Sequence, residues 1–324
     1  MSDEKGWSFP AELQPRIAGQ RFNLAAAIDA VVGVRTEIPA DAFTASVLGT
    51  ERAGNGVVIG KDGLVLTIGY LVTEAQTIWL TTNSGKLVPG HVLGYDQETG
   101  FGLVQALGRL DVPMLVRGSI ATAKIGDDVI VIGQGGLPHS LAAKIIGRRE
   151  FAGYWEYLLD EALFTAPAHP QWGGAAVVDM EGRLLGIGSL LVEERTGGKA
   201  VQGNMIVPID LLAPILEDLL TLGRARAVAR PWLGLYAGET QDELVVAGMA
   251  KRGPADRAGL REGDAILEVA GTKVTSLADL FRQVWRLGPA GTEIPLTLSR
   301  RGAVMRAVLR SADRADFLKK PSMH

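Results

Sequence analysis

Residues 54–67 read GNGVVIGKDGLVLT. The run contains two stretches of apolar, largely β-branched residues, 57–59 and 64–66, and the turn-forming sequence Lys61-Asp62-Gly63 lies between them. Such stretches on either side of a glycine turn are typical of two short antiparallel strands. The pattern therefore predicts a β-hairpin.

The same theme repeats from residue 24 to about residue 207. Short apolar runs are separated by Gly, Asp or Asn; further examples are residues 77–80, 129–132, 176–178 and 184–187. Many short strands with frequent turns favour a sandwich or a barrel. The 41 glycines among 324 residues fit that interpretation, because glycine is frequent in tight turns. We therefore expect a mainly β protein.

The pattern changes after residue 207. Apolar residues at helical spacing run from Pro208 to Leu222 and stop at Gly223, and a basic, alanine-rich segment follows before Pro231. Beyond it, strands are predicted at residues 244–246, 265–269, 294–298 and 304–309. A helix is predicted over 276–287 with Ser276 as its N-cap. The chain is thus expected to contain a second, smaller domain.

Composition excludes several function classes. The net charge is −3 and the basic residues are scattered, which argues against binding of nucleic acid or an anionic membrane surface. The apolar stretch 24–34 is short and contains Asp29, so we expect a buried segment and no membrane span. Cysteine is absent, and the four histidines show no paired ligand spacing, so neither a metal site nor a cofactor is expected. The first seven residues show no export signal, which favours a cytoplasmic location.

Several segments together resemble the HtrA (DegP-like) family of trypsin-fold serine proteases with PDZ domains. Residues 54–67 are similar to the family's Gly-Ser-Gly strand and the lead into its catalytic histidine, and residues 96–99 to the run before its catalytic aspartate. Residues 125–133 resemble the strand pair that opens the second barrel, and residues 230–235 the start of the PDZ domain. The resemblance implies a trypsin-like double β-barrel followed by a PDZ domain. The expected divisions are an N-terminal arm (1–20), the barrel domain (21–210), a linker helix (211–229), the PDZ domain (230–312) and a C-terminal tail (313–324).

The resemblance also implies where a catalytic triad would stand. The family's Thr-Asn-x-His, which supplies the general base, corresponds to residues 67–70 and places Tyr70 at the histidine position. The aspartate position, four residues after Asp96, holds Gly100. The serine position, within the family's Gly-Asn-Ser-Gly-Gly, holds Trp172.

None of these three residues suits its role. A phenol with a pKa of about 10 is a poor base near neutral pH, glycine has no side chain, and an indole can only donate a hydrogen bond. The conclusion tolerates alignment error, because the first histidine is His91 and no Ser, Thr or Cys lies between Thr165 and Ser189. We therefore expect a degenerate triad and no serine protease activity.

The second domain is expected to bind peptides. PDZ domains bind an extended peptide beside a strand and a helix, and backbone N–H groups of a glycine-containing loop hold its terminal carboxylate. The resemblance implies that residues 276–287 form the helical wall. It also implies seven peptide-binding residues: Trp232, Leu233, Gly234 and Leu235 in the carboxylate loop, and Leu280, Phe281 and Val284 in the terminal side-chain pocket.

Three functions remain open at this point. The first is an adaptor that recruits protein or peptide C-termini through the PDZ domain. The second is a structural subunit of a larger complex, held by the aromatic cluster Phe151, Tyr154, Trp155 and Tyr157 if that cluster is exposed; if buried, it seals the second barrel. The third is an enzyme, either a residual protease or a new hydrolase using His169 or Ser140. The family resemblance also implies homotrimers, for which Trp7, Phe9 and Phe22 are candidates.

Overall fold

The computed structural model describes residues 7–17, 21–196, 199–240 and 243–319. Its two closed barrels and separate sheet confirm the expected mainly β class. The described residues form two units: 150–160 with 227–318 make the second, and the remainder make the first. Parts of the predicted arm and tail, including His324, lie outside the described residues.

The first barrel contains six antiparallel strands in the closed order β1-β2-β3-β6-β5-β4. The strands are β1 Val31–Glu37, β2 Glu51–Val58, β3 Leu64–Ile68, β4 Thr77–Thr81, β5 Leu87–Tyr95 and β6 Phe101–Ala106. β2 and β3 form the hairpin predicted from residues 54–67, in which Val57 pairs with Leu66 and Val58 with Val65. β3 is buried along its whole length, so it lies in the barrel core.

The second barrel also closes, in the order β10-β11-β12-β9-β8-β7. Its strands are β7 Asp128–Ile132, β8 Ser140–Gly153, β9 Tyr157–Ala166, β10 Ala176–Val178, β11 Leu184–Thr196 and β12 Lys199–Pro208. Two long hairpins, β8–β9 and β11–β12, extend well past the short apolar runs visible in the sequence. The tip of the first hairpin, residues 150–160, belongs to the second unit.

Helices in the first unit are short. They are α1 Leu24–Asp29, α2 Ala45–Leu48, α3 Gly69–Val72 and α4 Leu216–Leu222. The helix predicted from Pro208 is confined to α4, preceded by a 3₁₀ turn over Ile209–Leu211, because Pro214 supplies no N–H to a helical ladder. α4 stops at Gly223, as predicted, and Gly223 adopts the left-handed conformation.

The described residues of the second unit include a six-stranded sheet and two α-helices. The strands are β13 Leu235–Glu239, β14 Leu244–Met249, β15 Ala265–Val269, β16 Thr272–Lys273, β17 Glu293–Arg300 and β18 Ala303–Arg310, with helices α5 Pro254–Arg257 and α6 Leu277–Arg286. The Ser276 side chain accepts from the Asp279 N–H, which confirms the predicted N-cap of α6. Leu280, Phe281 and Val284 bury one face of α6 in an apolar core with the sheet.

Candidate functional site

Tyr70 lies immediately after β3, in the single turn of α3. Its O–H donates to the Ser189 carbonyl at 2.9 Å, and the Trp172 side chain hydrogen-bonds to the phenol as well. Burial raises the pKa of Tyr70 above its usual value of 10.0, against the smaller lowering effect of Trp172. The phenol therefore keeps its proton and is used as a donor to a carbonyl.

Gly100 lies next to α3, on the turn between Asp96 and β6. Its carbonyl accepts the Gly69 N–H at 2.6 Å, and its φ of +82° is in the region that favours glycine. The structure thus brings Tyr70, Gly100 and Trp172 together: the Gly100 carbonyl accepts the N–H of the residue before Tyr70, and the Trp172 side chain interacts with the Tyr70 hydroxyl. Their assignment to triad positions remains a prediction.

The loop carrying Trp172 is fixed by the buried side chain of Asn55. The amide donates to the carbonyls of Gln171 at 2.8 Å and Gly173 at 3.1 Å, and its oxygen accepts the Gln134 N–H at 2.8 Å. Gly174 comes so close that a Cβ there would lie 1.8 Å from the Asn55 carbonyl oxygen. Sequence reasoning noted Asn55 only within a strand, because its partners lie about 80 and 116 residues away.

His169, the candidate replacement base, is fully buried with both ring nitrogens engaged. Nδ1 accepts the Gln171 N–H at 3.1 Å, so Nε2 carries the proton and donates to the His139 carbonyl at 3.0 Å. The buried Ser140 hydroxyl donates to the Gly136 carbonyl at 3.1 Å. These bonds give His169 and Ser140 structural partners and provide no support for a new hydrolytic pair.

Acid is expected to destabilise the first unit through His169. Burial lowers the pKa of His169 from 6.5 to about 4, with the nearby His139 acting in the same direction and the bond to the His139 carbonyl opposing. Because the folded-state pKa is depressed, the stabilisation is complete above pH 6.5 and lost as the pH falls through 4. The free energy of unfolding should fall by about 2–3 kcal/mol between pH 7 and pH 4.5 from this group.

Urea unfolding at the two pH values measures this loss. His169→Gln should remove most of the pH dependence in that interval, whereas the matched change His91→Gln, at an exposed histidine of β5, should leave it intact. Equal pH slopes in wild type and His169→Gln would contradict the assignment.

The predicted carboxylate loop surrounds an acidic side chain. Leu233 and Leu235 donate their backbone N–H groups to the Glu156 carboxylate, each at 2.9 Å, and Gly234 also hydrogen-bonds to it. The Trp232 N–H instead pairs with the Ala312 carbonyl. Glu156 was missed in the sequence, although it stands inside the aromatic cluster that attracted attention there.

The aromatic cluster is partly exposed. Tyr157 is buried and stacks on Trp155 at 5.5 Å between ring centroids, whereas Tyr154 is 51% exposed and contacts Tyr236 edge-on. Of the candidate trimer residues, Phe9 packs into the core of the second barrel with Trp7 beside it. Phe22 lies against Gly182. Trimer formation stays a prediction.

Metal-binding side-chain groups and membrane-spanning helices were both expected to be absent. Within it, no group of three or more His, Cys, Asp or Glu side chains is arranged to hold a metal ion. The described helices include none that combines the length and apolar character needed to cross a bilayer.

Two protein families match separate parts of the chain. Residues 54–187 match the trypsin-like peptidase domain family, and residues 231–309 match the PDZ domain family. The solved structure of the HtrA-type protease AlgW with a decapeptide shares the fold, with a TM-score of 0.52 and 20% sequence identity over 92% of this chain and 99% of that one. The chain is similar in fold to HtrA-type proteases. Its trypsin-like domain precedes a C-terminal PDZ domain, as the sequence resemblance implied.

Curated relatives of the HtrA-like chain are named probable periplasmic serine endoproteases, DegP-like. The protein from Hahella chejuensis (strain KCTC 2396) is 26% identical over 268 residues, covering 79% of this chain and 56% of the relative. The protein from Halomonas elongata (strain ATCC 33173 / DSM 2581 / NBRC 15536 / NCIMB 2198 / 1H9) is 26% identical over 279 residues, covering 82% and 57%. The HtrA-like chain therefore spans little more than half the length of these relatives.

The names of these relatives contradict the cytoplasmic location expected for the HtrA-like chain. That expectation depended on the composition of seven residues at one end. The similarity to proteins named periplasmic extends over 79% and 82% of the chain. The prediction of a cytoplasmic protein was therefore wrong.

Proposed function

We propose that this HtrA-like protein is a non-proteolytic binding protein, with the barrel domain (21–210) as scaffold and the PDZ domain (230–312) as receptor for protein or peptide C-termini. The first half is supported by the residues that we assign to the three triad positions, Tyr70, Gly100 and Trp172, and by the hydrogen bond that engages the Tyr70 phenol. Serine proteolysis needs a hydroxyl, a base that can take its proton, and an acid that orients the base. The phenol of Tyr70 is hydrogen-bonded and holds its proton, so no base is available at that position.

The oxyanion hole is the second reason to propose inactivity. Trypsin-type sites stabilise the tetrahedral intermediate with two backbone N–H groups, one from the nucleophile and one from two residues before it. With Trp172 at the nucleophile position, the second donor falls on Pro170, which has no N–H. Removing one such donor costs about 10²–10³ in turnover. Residual catalysis without a triad, which depends on this hole, is therefore also unsupported.

The rival function is a serine endopeptidase, favoured by the names of the curated relatives. On that view a hydroxyl elsewhere would act with a base other than Tyr70. Ser140 and His169 were the candidates from sequence, and both make structural hydrogen bonds in the second barrel. We therefore prefer the non-proteolytic function and keep the endopeptidase as the outcome that a labelling experiment must exclude.

The PDZ groove supports the second half of the proposal. The N–H groups of Leu233 and Leu235 converge on a carboxylate, which is the chemistry needed to hold a peptide C-terminus. Leu280, Phe281 and Val284 supply the apolar wall from α6. The names of the relatives make the periplasm the compartment that we propose for this activity. A structural subunit of a larger complex is the alternative if the groove binds nothing.

Fluorescence polarisation with short labelled peptides tests the binding function. Peptides with randomised, apolar last residues and a free C-terminus are expected to bind, and the same peptides ending in an amide are expected to bind at least tenfold more weakly. The reason is that an amide has lost the charge that the N–H groups recognise. Equal binding of the two sets would contradict recognition of C-termini, and binding of neither would favour the structural subunit.

A further inference from the structure

Residues 150–160, which we name the hairpin tip, form the end of the β8–β9 hairpin and belong to the same structural unit as the PDZ domain. Three separate contacts place this hairpin tip along the elements that make a PDZ groove. They involve the carboxylate loop, the strand β13 that follows it, and the helix α6. The contacts together resemble those of a bound peptide.

The first contact is at the carboxylate loop. The Glu156 carboxylate accepts N–H groups from Leu233 and Leu235 at 2.9 Å each and is also bonded to Gly234. Glu156 is 9% exposed and has a φ of +61°, an uncommon conformation for a residue with a side chain. The backbone bend directs an acidic side chain at the donors that a peptide terminus would use.

The second and third contacts continue along the groove. The Tyr154 carbonyl, two residues before Glu156, accepts the Ala237 N–H of β13 at 3.1 Å, as an added strand would. Leu158 is 8% exposed and lies in the apolar cluster that contains the inward face of α6. Arg282 of α6 then forms ion pairs with Glu150 and with Asp160, the latter at 2.6 Å.

We propose that the hairpin tip is an internal ligand of the PDZ groove, with Glu156 in the place of a peptide's terminal carboxylate, so that a partner must displace it. The proposal rests on the proposed binding of C-termini and adds regulation of that same site. A purely structural hairpin tip would need no carboxylate at this position, since burying an acidic side chain is costly.

The protonation of Glu156 supports a contact that can open. Burial raises the pKa of Glu156 from 4.5 to about 7; the N–H groups of residues 233–235 and the charge of Arg314 oppose this. The Tyr236 phenol also interacts with Glu156, and burial raises the pKa of that phenol too, so it stays neutral. Because the folded-state pKa of Glu156 is raised, docking is strongest below pH 4.5 and weakens as the pH rises through 7. A peptide α-carboxyl, with a pKa near 3.5, stays ionised throughout and competes better at the upper end.

Hydrogen exchange on the full chain tests the docking itself. In Glu156→Ala, the amides of Leu233 and Leu235 are expected to exchange at least tenfold faster than in wild type, because the carboxylate that accepts them is removed. The matched control is Glu293→Ala, which removes an exposed glutamate of the same sheet and should leave these amides unchanged. Unchanged exchange in a folded Glu156→Ala would overturn the proposal.

Peptide binding tests the competition. The labelled free-C-terminus peptides should bind Glu156→Ala about tenfold more tightly than wild type or Glu293→Ala, because the groove no longer has to be vacated. Arg282→Ala provides a second variant that loosens the hairpin tip without touching the carboxylate loop, and it should tighten binding in the same direction. Equal affinities for all four proteins would overturn the internal ligand and leave the binding function standing. Faster exchange in Glu156→Ala without binding of any peptide would support the internal ligand and contradict the proposed function.

Discussion

Fluorophosphonate labelling of the folded chain is expected to give no specific adduct, and casein hydrolysis should be indistinguishable from the uncatalysed background. In an active serine protease, loss of the triad lowers turnover by about 10⁶-fold. The proposal assigns Tyr70, Gly100 and Trp172 to the positions of base, acid and nucleophile, and it assigns one oxyanion position to Pro170, which has no N–H. A trypsin sample at the same concentration serves as the positive control.

Introducing the residue types of a catalytic triad extends this first test. The triple variant Tyr70→His, Gly100→Asp and Trp172→Ser restores the residue types of a triad but keeps Pro170. It is expected to label at least a hundredfold more slowly than the same variant with Pro170→Gly, because only the latter can donate both N–H groups to the oxyanion. Specific labelling of wild type, lost on denaturation, would contradict the proposed inactivity. Ser189→Ala and Ser140→Ala would then locate the nucleophile.

Leu233→Glu is expected to unfold the PDZ domain, beyond any effect on its groove. Although Leu233 lies in the proposed carboxylate loop, its side chain is 2% exposed and packs in the core of the second unit. The change removes a buried apolar side chain and introduces a carboxylate without a cationic partner, so the free energy of unfolding should fall by at least about 4 kcal/mol. The midpoint of urea unfolding, followed by tryptophan fluorescence, measures the loss.

Val304→Glu is the matched control for this second test. It introduces the same residue into the same unit at a side chain that is 69% exposed on β18, and it should change stability by less than about 0.5 kcal/mol. A Leu233→Glu protein as stable as Val304→Glu would contradict the burial of Leu233. The groove is therefore better tested by altering the peptide terminus than by substituting this leucine.

Local sequence pattern was sufficient for much of the fold. The β-branched runs of β3, β7, β10 and β15 coincide with observed strands, and the Ser276 cap marks the start of α6. These features depend on residues adjacent in sequence. The helix expected from Pro208 was too long, because the apolar spacing continues across Pro214 although proline has no N–H for a helical hydrogen bond. The long hairpin β8–β9 was not foreseen, since Gly147 and the polar residues beside it interrupt the strand pattern.

The candidate sites also differ in whether they depend on local sequence or on residues far apart in the chain. Tyr70, Gly100 and Trp172 were found because a family resemblance supplied their positions, and the structure places them side by side. Glu156 was not found, because its importance comes from N–H groups 77 and 79 residues away. A charged residue in an aromatic loop is ordinarily solvated. Only the contact across the second unit shows that this one is buried and bound.

The hairpin tip is covalently continuous with β8 and β9, which gives it a high effective concentration. Ligands joined to their receptor by short connections act as if present at about millimolar concentration. A free peptide competing with such a ligand would bind with an apparent affinity reduced by the fraction of time for which the groove is vacant. The groove would then respond poorly to isolated C-termini at low abundance. It would respond well to C-termini that are present at high local density, so the proposed receptor would respond to the local concentration of C-termini.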